Sequence, residues 1–192
     1  VIIPAFPGTN SEYDTARAFE RAGASAEVIV FKNKDNEKVK ESIEELAEKI
    51  SGAQILAIPG GFSLGDEPGG SGKFIANVIR SEKVKAAIEK LLGENDGLIL
   101  GICNGFQALI KTGLLPYGEI KDLEEEDPTL TYNTCNRHIA RIAETKVISN
   151  NSPWLAKLEV GKTYKVPISH GEGRFIASKE KIDEILANEQ VA

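Results

Sequence analysis

Short apolar runs alternate with amphipathic stretches of helical length through the first half of the chain. The apolar runs lie at residues 1–6, 26–31, 55–58 and 97–102, and the helical stretches at 11–22, 37–50, 72–92 and 104–112. Such alternation is typical of parallel strands joined by crossover helices. The pattern therefore predicts an α/β fold: a doubly wound, mostly parallel sheet with helices on both faces.

The second half of the chain is less regular. An acidic connection at residues 123–128 precedes strand-like pieces around residues 139–148 and 164–168. We expect these pieces to form a mixed or antiparallel C-terminal extension of the same sheet. Because 192 residues suffice for one well-buried core and are few for two, we predict a single domain over residues 1–192.

Composition and charge exclude several classes of function. The net charge is -6, with basic residues interleaved among acidic ones, which argues against nucleic-acid binding. No apolar stretch is long enough to cross a membrane, and the N-terminus carries no basic leader or cleavage-type site. We therefore expect a cytoplasmic protein that binds a small metabolite or a protein partner. Since the numbering opens on Val1 rather than methionine, we also expect the sequence to be a piece of something longer.

A glycine-flanked cysteine follows directly on the fourth apolar run, in Gly-Ile-Cys-Asn-Gly at residues 101–105. A strand that turns abruptly into a helix exposes its turn residue, and the crowded backbone favours glycine two positions to either side. Cys103 takes the turn position, and the positive end of the following helix favours its thiolate. A free cysteine is otherwise most often a small buried hydrophobe, so the two glycines are what predict a nucleophile.

Three glycine-bearing turns, at residues 7–10, 59–62 and 101–105, lie at the carboxyl ends of predicted strands. In a doubly wound sheet, ligands bind at this edge, so we expect the three turns to open on one site. The turn at 59–62 by itself fits a tight strand exit. Beside a nucleophilic cysteine, it predicts an oxyanion hole formed by the backbone N–H groups of Gly61 and Asn104.

His170 and Glu172 flank Gly171 near the other end of the chain. In an extended segment the two side chains leave the same face, where the carboxylate would orient the imidazole and stabilise its charged form. Taken alone, a turn histidine and a solvated carboxylate are the better interpretation. Together with Cys103, the pair predicts a base and a base-orienting carboxylate for the nucleophile.

The glycine-rich loop at residues 69–73 resembles a phosphate-binding loop but lacks two of its required residues. Glu67 and Phe74 occupy positions that the Walker pattern reserves for glycine and for Ser or Thr. We therefore expect a flexible loop that ends in a helix start. At the first helix, Thr9 and Glu12 predict a capping box.

A second cysteine, Cys135, lies three residues before His138, with no second pair of ligands to complete a metal site. A packing or surface role is the simpler interpretation, and we predict no metal. The strand-to-helix turn that holds Cys103 is called here the elbow. Its predicted role in presenting a nucleophile and a reducing compartment both indicate that the two cysteines are free thiols.

Four motifs along nearly the whole chain carry a family resemblance. They are Phe-Pro-Gly-Thr-Asn at residues 6–10, Pro-Gly-Gly-Phe-Ser at 59–63 with Gly-Asp at 65–66, Gly-Ile-Cys-Asn-Gly-Phe-Gln at 101–107, and Ser-His-Gly-Glu-Gly-Arg-Phe at 169–175. In these residues the chain resembles the triad glutamine amidotransferases, which have a flavodoxin-like fold. Among them it is most similar to the glutaminase domains of phosphoribosylformylglycinamidine synthases. That family usually carries Ser and Phe where this chain has Cys135 and His138.

The resemblance implies glutamine hydrolysis. Cys103 would attack the side-chain amide of glutamine, His170 would pass a proton to the departing ammonia, and Glu172 would orient His170. The backbone at Gly61 and Asn104 would hold the oxyanion, and water would then release glutamate from the thioester. The implied substrate-binding residues are Gly60, Phe62, Gln107, Asn133 and Arg137.

The resemblance also implies a partner. The ammonia would pass to an ATP-dependent synthetase, a domain or subunit of the same enzyme, which converts formylglycinamide ribonucleotide to formylglycinamidine ribonucleotide in purine biosynthesis. ATP and magnesium belong to that part, so no cofactor is expected in residues 1–192. Two other functions remain open: another elbow-cysteine hydrolase of the intracellular peptidase or deglycase type, and a catalytically silent docking domain.

Overall fold

The computed structural model describes residues 1–62 and 72–192. It divides the chain into two compact units, Val1–Leu123 and Glu124–Ala192, called here the first and the second unit. Of the sequence features discussed above, Ser63, residues 65–66 and most of the loop at residues 69–73 lie outside the described residues.

A four-stranded parallel sheet forms the centre of the first unit. Its strands are β1 (Ile2–Ala5), β2 (Glu27–Val30), β3 (Ile55–Ile58) and β4 (Leu98–Gly101), in the order β2-β1-β3-β4. Ile3 pairs with Val28, and Leu56 with Ile99. The four predicted strands and their parallel arrangement are confirmed.

Helices cover both faces of this sheet, as predicted. They are α1 (Glu12–Arg21), α2 (Asn36–Ser51), α3 (Lys73–Arg80), α4 (Glu82–Gly93), α5 (Asn104–Thr112) and the short α6 (Leu114–Tyr117). On one face, Ala16 and Phe19 of α1 pack in one cluster with Ile3 and Ala57. On the other, α2, α3, α4 and α5 contribute to a larger buried core, whose members include Leu46, Ile50, Leu56, Ile58, Ile75, Ile88, Leu91 and Leu109. Full burial of one such side chain stabilises the fold by roughly 1.5–3 kcal/mol.

The single helix expected over residues 72–92 is wrong, because Ser81 divides it. Ser81 has extended backbone angles (φ -60°, ψ 139°), and both its hydroxyl and its N–H donate to the Val78 carbonyl, at 2.6 and 3.1 Å. A serine that hydrogen-bonds its own backbone in this way competes with helix continuation. The helix start predicted after the glycine-rich loop is confirmed, with Gly72 in the left-handed conformation before Lys73.

The predicted capping box at the first helix is also wrong. The residue that precedes α1 is Ser11, and its side chain makes no capping hydrogen bond. Thr9 instead accepts a hydrogen bond from the Phe6 N–H through Oγ1, at 3.0 Å, while its own N–H donates to the Phe6 carbonyl at 2.9 Å. Thr9 therefore closes the turn that leaves β1 rather than starting the helix.

Asp35 provides a true N-cap, at the start of α2. Its Oδ1 accepts a hydrogen bond from the Lys38 N–H at 2.9 Å. We expect Asp35→Ala to lower the free energy of unfolding by about 1 kcal/mol, because one backbone N–H of the first turn loses its partner. Urea titration would measure this, and Asp35→Asn, which keeps a capping oxygen, should stay close to wild type. Equal losses in both variants would contradict the capping role.

The second unit contains two antiparallel ribbons and one helix. Strand β5 (Thr129–Thr131) pairs with β8 (Arg174–Ile176), β6 (Ile139–Lys146) pairs with β7 (Thr163–His170), and α7 spans Lys179–Ala187. Strands were predicted at β6 and β7 in a mixed or antiparallel arrangement, and the structure pairs them antiparallel. The extension of the parallel sheet is wrong, because the described strands of this unit form two-stranded sheets of their own. Within residues 1–62 and 72–192, no helix has both the length and the hydropathy needed to span a bilayer.

Candidate active site

Cys103 lies in the turn between β4 and α5, where the sequence predicts an elbow. It is exposed, and its φ of 52° is positive, a conformation that non-glycine residues rarely adopt. Cys103 immediately precedes α5, and its carbonyl accepts a hydrogen bond from the Gln107 N–H at 3.0 Å. The thiol is thus presented on a strained strand-to-helix turn at the first turn of a helix.

The glycines on either side of Cys103 are required by packing. A Cβ on Gly105 would lie 2.2 Å from the Ile58 carbonyl oxygen, and one on Gly101 would lie 2.7 Å from Leu109 Cδ1 and 2.8 Å from the Gly105 backbone. The N–H of Gly105 donates to the Ile102 carbonyl at 2.9 Å and closes the turn. Packing therefore accounts for the glycines on both sides of Cys103: α5 approaches β3 closely at Gly105 and approaches β4 closely at Gly101.

Gly60, at the end of β3, lies beside the cysteine. A Cβ on Gly60 would be 3.2 Å from Cys103 Cβ, and the Gly60 N–H donates to Ser11 Oγ at 3.1 Å. The Asn10 N–H approaches the Gly60 carbonyl at 3.4 Å. The three glycine-bearing turns therefore meet at one edge of the sheet, as predicted. Ser11 links two of them and was missed, because the sequence placed it at the start of the helical stretch and its partner Gly60 lies 49 residues away.

Gly61 continues this turn with a φ of 134°, open to glycine and strained for other residues. A Cβ there would lie 2.4 Å from the Gly8 carbonyl oxygen, which accepts a hydrogen bond from the Phe62 N–H at 2.9 Å. The Gly61 N–H has no acceptor among residues 1–62 and 72–192. The side chain of Phe62 is exposed.

Asn104 and Gln107 lie on the first turn of α5, behind the thiol. Both side chains are buried, and Asn104 Nδ2 donates to Gln107 Oε1 at 3.1 Å. The backbone of Asn104 occupies the first position of the helix, where N–H groups have no intrahelical acceptor. The first unit therefore brings together five of the predicted site residues: Gly60, Gly61, Cys103, Asn104 and Gln107.

The remaining polar residues of the predicted site belong to the second unit. His170 is the last residue of β7, and its Nδ1 lies 3.0 Å from the side-chain oxygen of Asn133. The Asn133 N–H donates to the Gly171 carbonyl at 2.9 Å. Asn133, assigned to substrate binding on the sequence, is thus the hydrogen-bonding partner of the imidazole. The contact spans 37 residues of sequence, and no local signal predicts it.

Glu172 is buried and lies in a bend that follows β7, so the extended segment that would place it on the same face as His170 is absent there. Gly173 packs directly on the imidazole: a Cβ at this position would lie 2.4 Å from His170 Nδ1. Gly171, on the other side of Glu172, has open space around it. Gly173 was missed as a site residue, although its place in His-Gly-Glu-Gly was visible in the sequence.

Arg137, Cys135 and His138 form the exposed end of the same turn. The Arg137 carbonyl accepts hydrogen bonds from Asn133 Nδ2 at 3.0 Å and from Cys135 Sγ at 3.5 Å. His138 Nε2 lies 2.8 Å from Ser169 Oγ. In the described part of the chain, no three His, Cys, Asp or Glu side chains are grouped so that they could hold a metal ion.

An α/β sheet that delivers an exposed, strained cysteine to the start of a helix defines a nucleophile-elbow protein. Comparison with known families names the class: the model of the CobB/CobQ-like glutamine amidotransferase domain matches residues 1–192. The chain belongs to this family.

Curated relatives place it more closely. The chain is 38% identical over 182 residues to the phosphoribosylformylglycinamidine synthase subunit PurQ of Dehalococcoides mccartyi, covering 93% of this chain and 64% of that protein. It is 35% identical over 193 residues to the PurQ subunit of Sulfurimonas denitrificans, covering 100% of this chain and 72% of the relative. Among solved structures, PurLQS from Thermotoga maritima matches with a TM-score of 0.67 and 27% identity, over 93% of this chain and 69% of that one. The chain therefore spans 64% to 72% of the length of these relatives.

Proposed function

We propose that this chain is the glutaminase component of a phosphoribosylformylglycinamidine synthase. It hydrolyses glutamine to glutamate and ammonia, and it supplies the ammonia to a synthetase that converts formylglycinamide ribonucleotide to formylglycinamidine ribonucleotide. The observation that carries this proposal is the exposed, strained Cys103 between two obligatory glycines, in a chain that belongs to a glutamine amidotransferase family and resembles PurQ subunits.

The proposed reaction begins with attack of Cys103 Sγ on the side-chain carbonyl carbon of glutamine. The C=O bond becomes a C–O⁻ single bond, and the N–H groups of Gly61 and Asn104 hold this oxyanion. His170 takes the thiol proton and gives it to the amide nitrogen, the C–N bond breaks, and ammonia leaves. Water, deprotonated by His170, then attacks the glutamyl thioester, and glutamate leaves as the thiol is restored.

Four of the residues assigned to substrate binding would contact or support the bound glutamine. Arg137 is exposed and suits the α-carboxylate of glutamine, since planar guanidinium groups bind carboxylates in a bidentate manner. Gly60 and Phe62 would line the approach to the thiol, and the buried Gln107 would support the floor behind it. The buried Glu172 would stabilise the charged form of His170 electrostatically.

The proposal assigns ATP and magnesium to the synthetase, which activates the acceptor for attack by ammonia, and it requires no cofactor in residues 1–192. The partnership with a synthetase is supported by the names of similar proteins: two are subunits of a phosphoribosylformylglycinamidine synthase, and the solved structure is PurLQS. We also propose that residues 1–192 act as one amidotransferase domain, because the family model spans all of them, and that the enzyme works in the cytoplasm, where purine precursors are made.

Glutamate release from glutamine tests the proposal, measured for the chain alone and with a phosphoribosylformylglycinamidine synthetase, ATP and magnesium. We expect slow hydrolysis alone and a clear increase in the complex, because glutaminases that serve a synthetase are gated by it. Cleavage of peptide or glycated substrates without glutamine hydrolysis would favour the alternative elbow-cysteine hydrolases. A complex that forms without any hydrolysis would favour a silent docking domain.

Gly173→Ala is expected to lower glutamate release about 100-fold, because the new methyl group displaces the imidazole that it would otherwise overlap. Gly171→Ala is the matched control, since a Cβ there meets nothing within 4 Å, and it should retain most of the wild-type rate. Steady-state assays of both variants in the complex would check this. Similar rates for the two variants would contradict the assigned position of His170.

A further inference from the structure

We propose that Asn133 is a positioning residue that holds the neutral His170 ring in the tautomer with its proton on Nδ1, leaving Nε2 as the proton acceptor. The sequence assigned the orienting role to Glu172 and gave Asn133 to the substrate. This inference rests on the proposed function only in that it treats His170 as the base.

The orientation of the Asn133 amide is fixed by its two donors. Asn133 Nδ2 donates to the Arg137 carbonyl at 3.0 Å and to the His170 carbonyl at 2.9 Å. A flipped amide would direct its oxygen at these two carbonyl oxygens, so the nitrogen must occupy this position. The oxygen Oδ1 therefore faces the other way.

Asn133 Oδ1 faces two groups, His170 Nδ1 at 3.0 Å and the Gly173 N–H at 3.4 Å. An amide oxygen only accepts hydrogen bonds, so Nδ1 must carry the proton. In the neutral ring the other nitrogen, Nε2, then has the free lone pair that a general base needs. The hydrogen bond thus selects the catalytically useful tautomer.

The same contacts leave Asn133 with no capacity for a substrate. Its two N–H groups and both lone pairs of Oδ1 are engaged, and the residue is only 5% exposed. A buried and fully hydrogen-bonded amide makes a rigid support. Since the partner is neutral, it fixes the tautomer and ring orientation without adding a charge beside the imidazole.

The tautomer can be observed directly by ¹⁵N NMR of the full chain labelled at its histidine rings, at a pH where the rings are neutral. The sequence has only two histidines, and a His138→Asn variant identifies the signals of His170. We expect Nδ1 to show the signature of a protonated ring nitrogen and Nε2 that of an unprotonated one. A His170 ring protonated at Nε2 would overturn the proposal.

Asn133→Ala separates positioning from substrate binding. We expect kcat for glutamine hydrolysis in the complex to fall about 10- to 100-fold with KM nearly unchanged, and the NMR signals of His170 to shift toward a mixture of tautomers. Asn150→Ala, which removes one exposed hydrogen bond to the Leu158 carbonyl, should change neither. A raised KM with an unchanged kcat would overturn the proposal in favour of a substrate contact.

The two proposals fail in different ways. If the wild-type chain shows the Nδ1–H tautomer but hydrolyses no glutamine even in the complex, the proposed function fails and the structural role of Asn133 stands. If glutamine is hydrolysed but His170 is protonated at Nε2, the proposed function stands and the positioning role of Asn133 fails. Should Asn133→Ala fail to fold, the wild-type spectrum alone still decides the tautomer.

Discussion

Replacing Cys103 with alanine should reduce glutamate release to background, a loss of at least about 10³- to 10⁴-fold. No other described side chain in the three turns at the edge of the parallel sheet is a nucleophile of comparable strength, so no thioester can form. The fold should survive, because the Cys103 side chain is exposed. Glutamate release assays with and without the synthetase, together with circular dichroism, would measure both effects.

Cys135→Ala is the matched control for this variant. Cys135 is the other exposed cysteine of the chain, and its thiol makes one long hydrogen bond, to the Arg137 carbonyl. The control should keep most of the wild-type rate. Activity that survives in Cys103→Ala but disappears in Cys135→Ala would place the nucleophile in the second unit and refute the elbow.

The second large effect is expected for Gly105→Ala, which should lower the free energy of unfolding by roughly 3 kcal/mol. The added methyl group would lie 2.2 Å from the Ile58 carbonyl oxygen and 2.9 Å from Ile58 Cγ2. A backbone carbonyl at the end of a buried strand has little room to move, so α5 must shift away from β3. Because Cys103 precedes α5 directly, activity should fall as well.

Gly93→Ala provides the comparison for stability, since a Cβ at the end of α4 meets nothing within 4 Å. It should be neutral or slightly stabilising, as alanine is favoured over glycine in helices. Guanidinium or urea titrations of the two variants would give the difference. Equal stability of Gly105→Ala and Gly93→Ala would show that the elbow tolerates a side chain at residue 105. Close packing would then not be the reason for a glycine there.

Periodicity predicted the first unit well because its strands and helices bury their apolar faces in a regular pattern. Ile55–Ile58 and Asn104–Thr112 were predicted with the bounds that the structure gives them. The elbow was also visible, since a strand, a turn cysteine and two glycines lie within a few neighbouring residues. Local sequence is sufficient to predict an element when the residues that determine it are close neighbours in the chain.

Features that depend on distant contacts were not predictable in this way. Ser11 hydrogen-bonds Gly60 across 49 residues, and Asn133 reaches the His170 ring across 37. The division at Ser81 depends on a side-chain hydrogen bond that competes with the helix, and the short strands β5 and β8 are only three residues long. Polar side chains hydrogen-bond to whichever partner the fold brings near them. The spacing of apolar residues along the sequence does not reveal which partner that is.

The most direct test of the proposed chemistry is covalent labelling with an electrophilic glutamine analogue that carries a leaving group in place of the side-chain amide. The full chain would be labelled, digested and mapped by mass spectrometry, with unlabelled glutamine added as a competitor. We predict a single adduct on Cys103, which glutamine suppresses and Cys103→Ala abolishes. An adduct on Cys135, or labelling of Cys103 that glutamine does not suppress, would contradict the assignment of this elbow to glutamine.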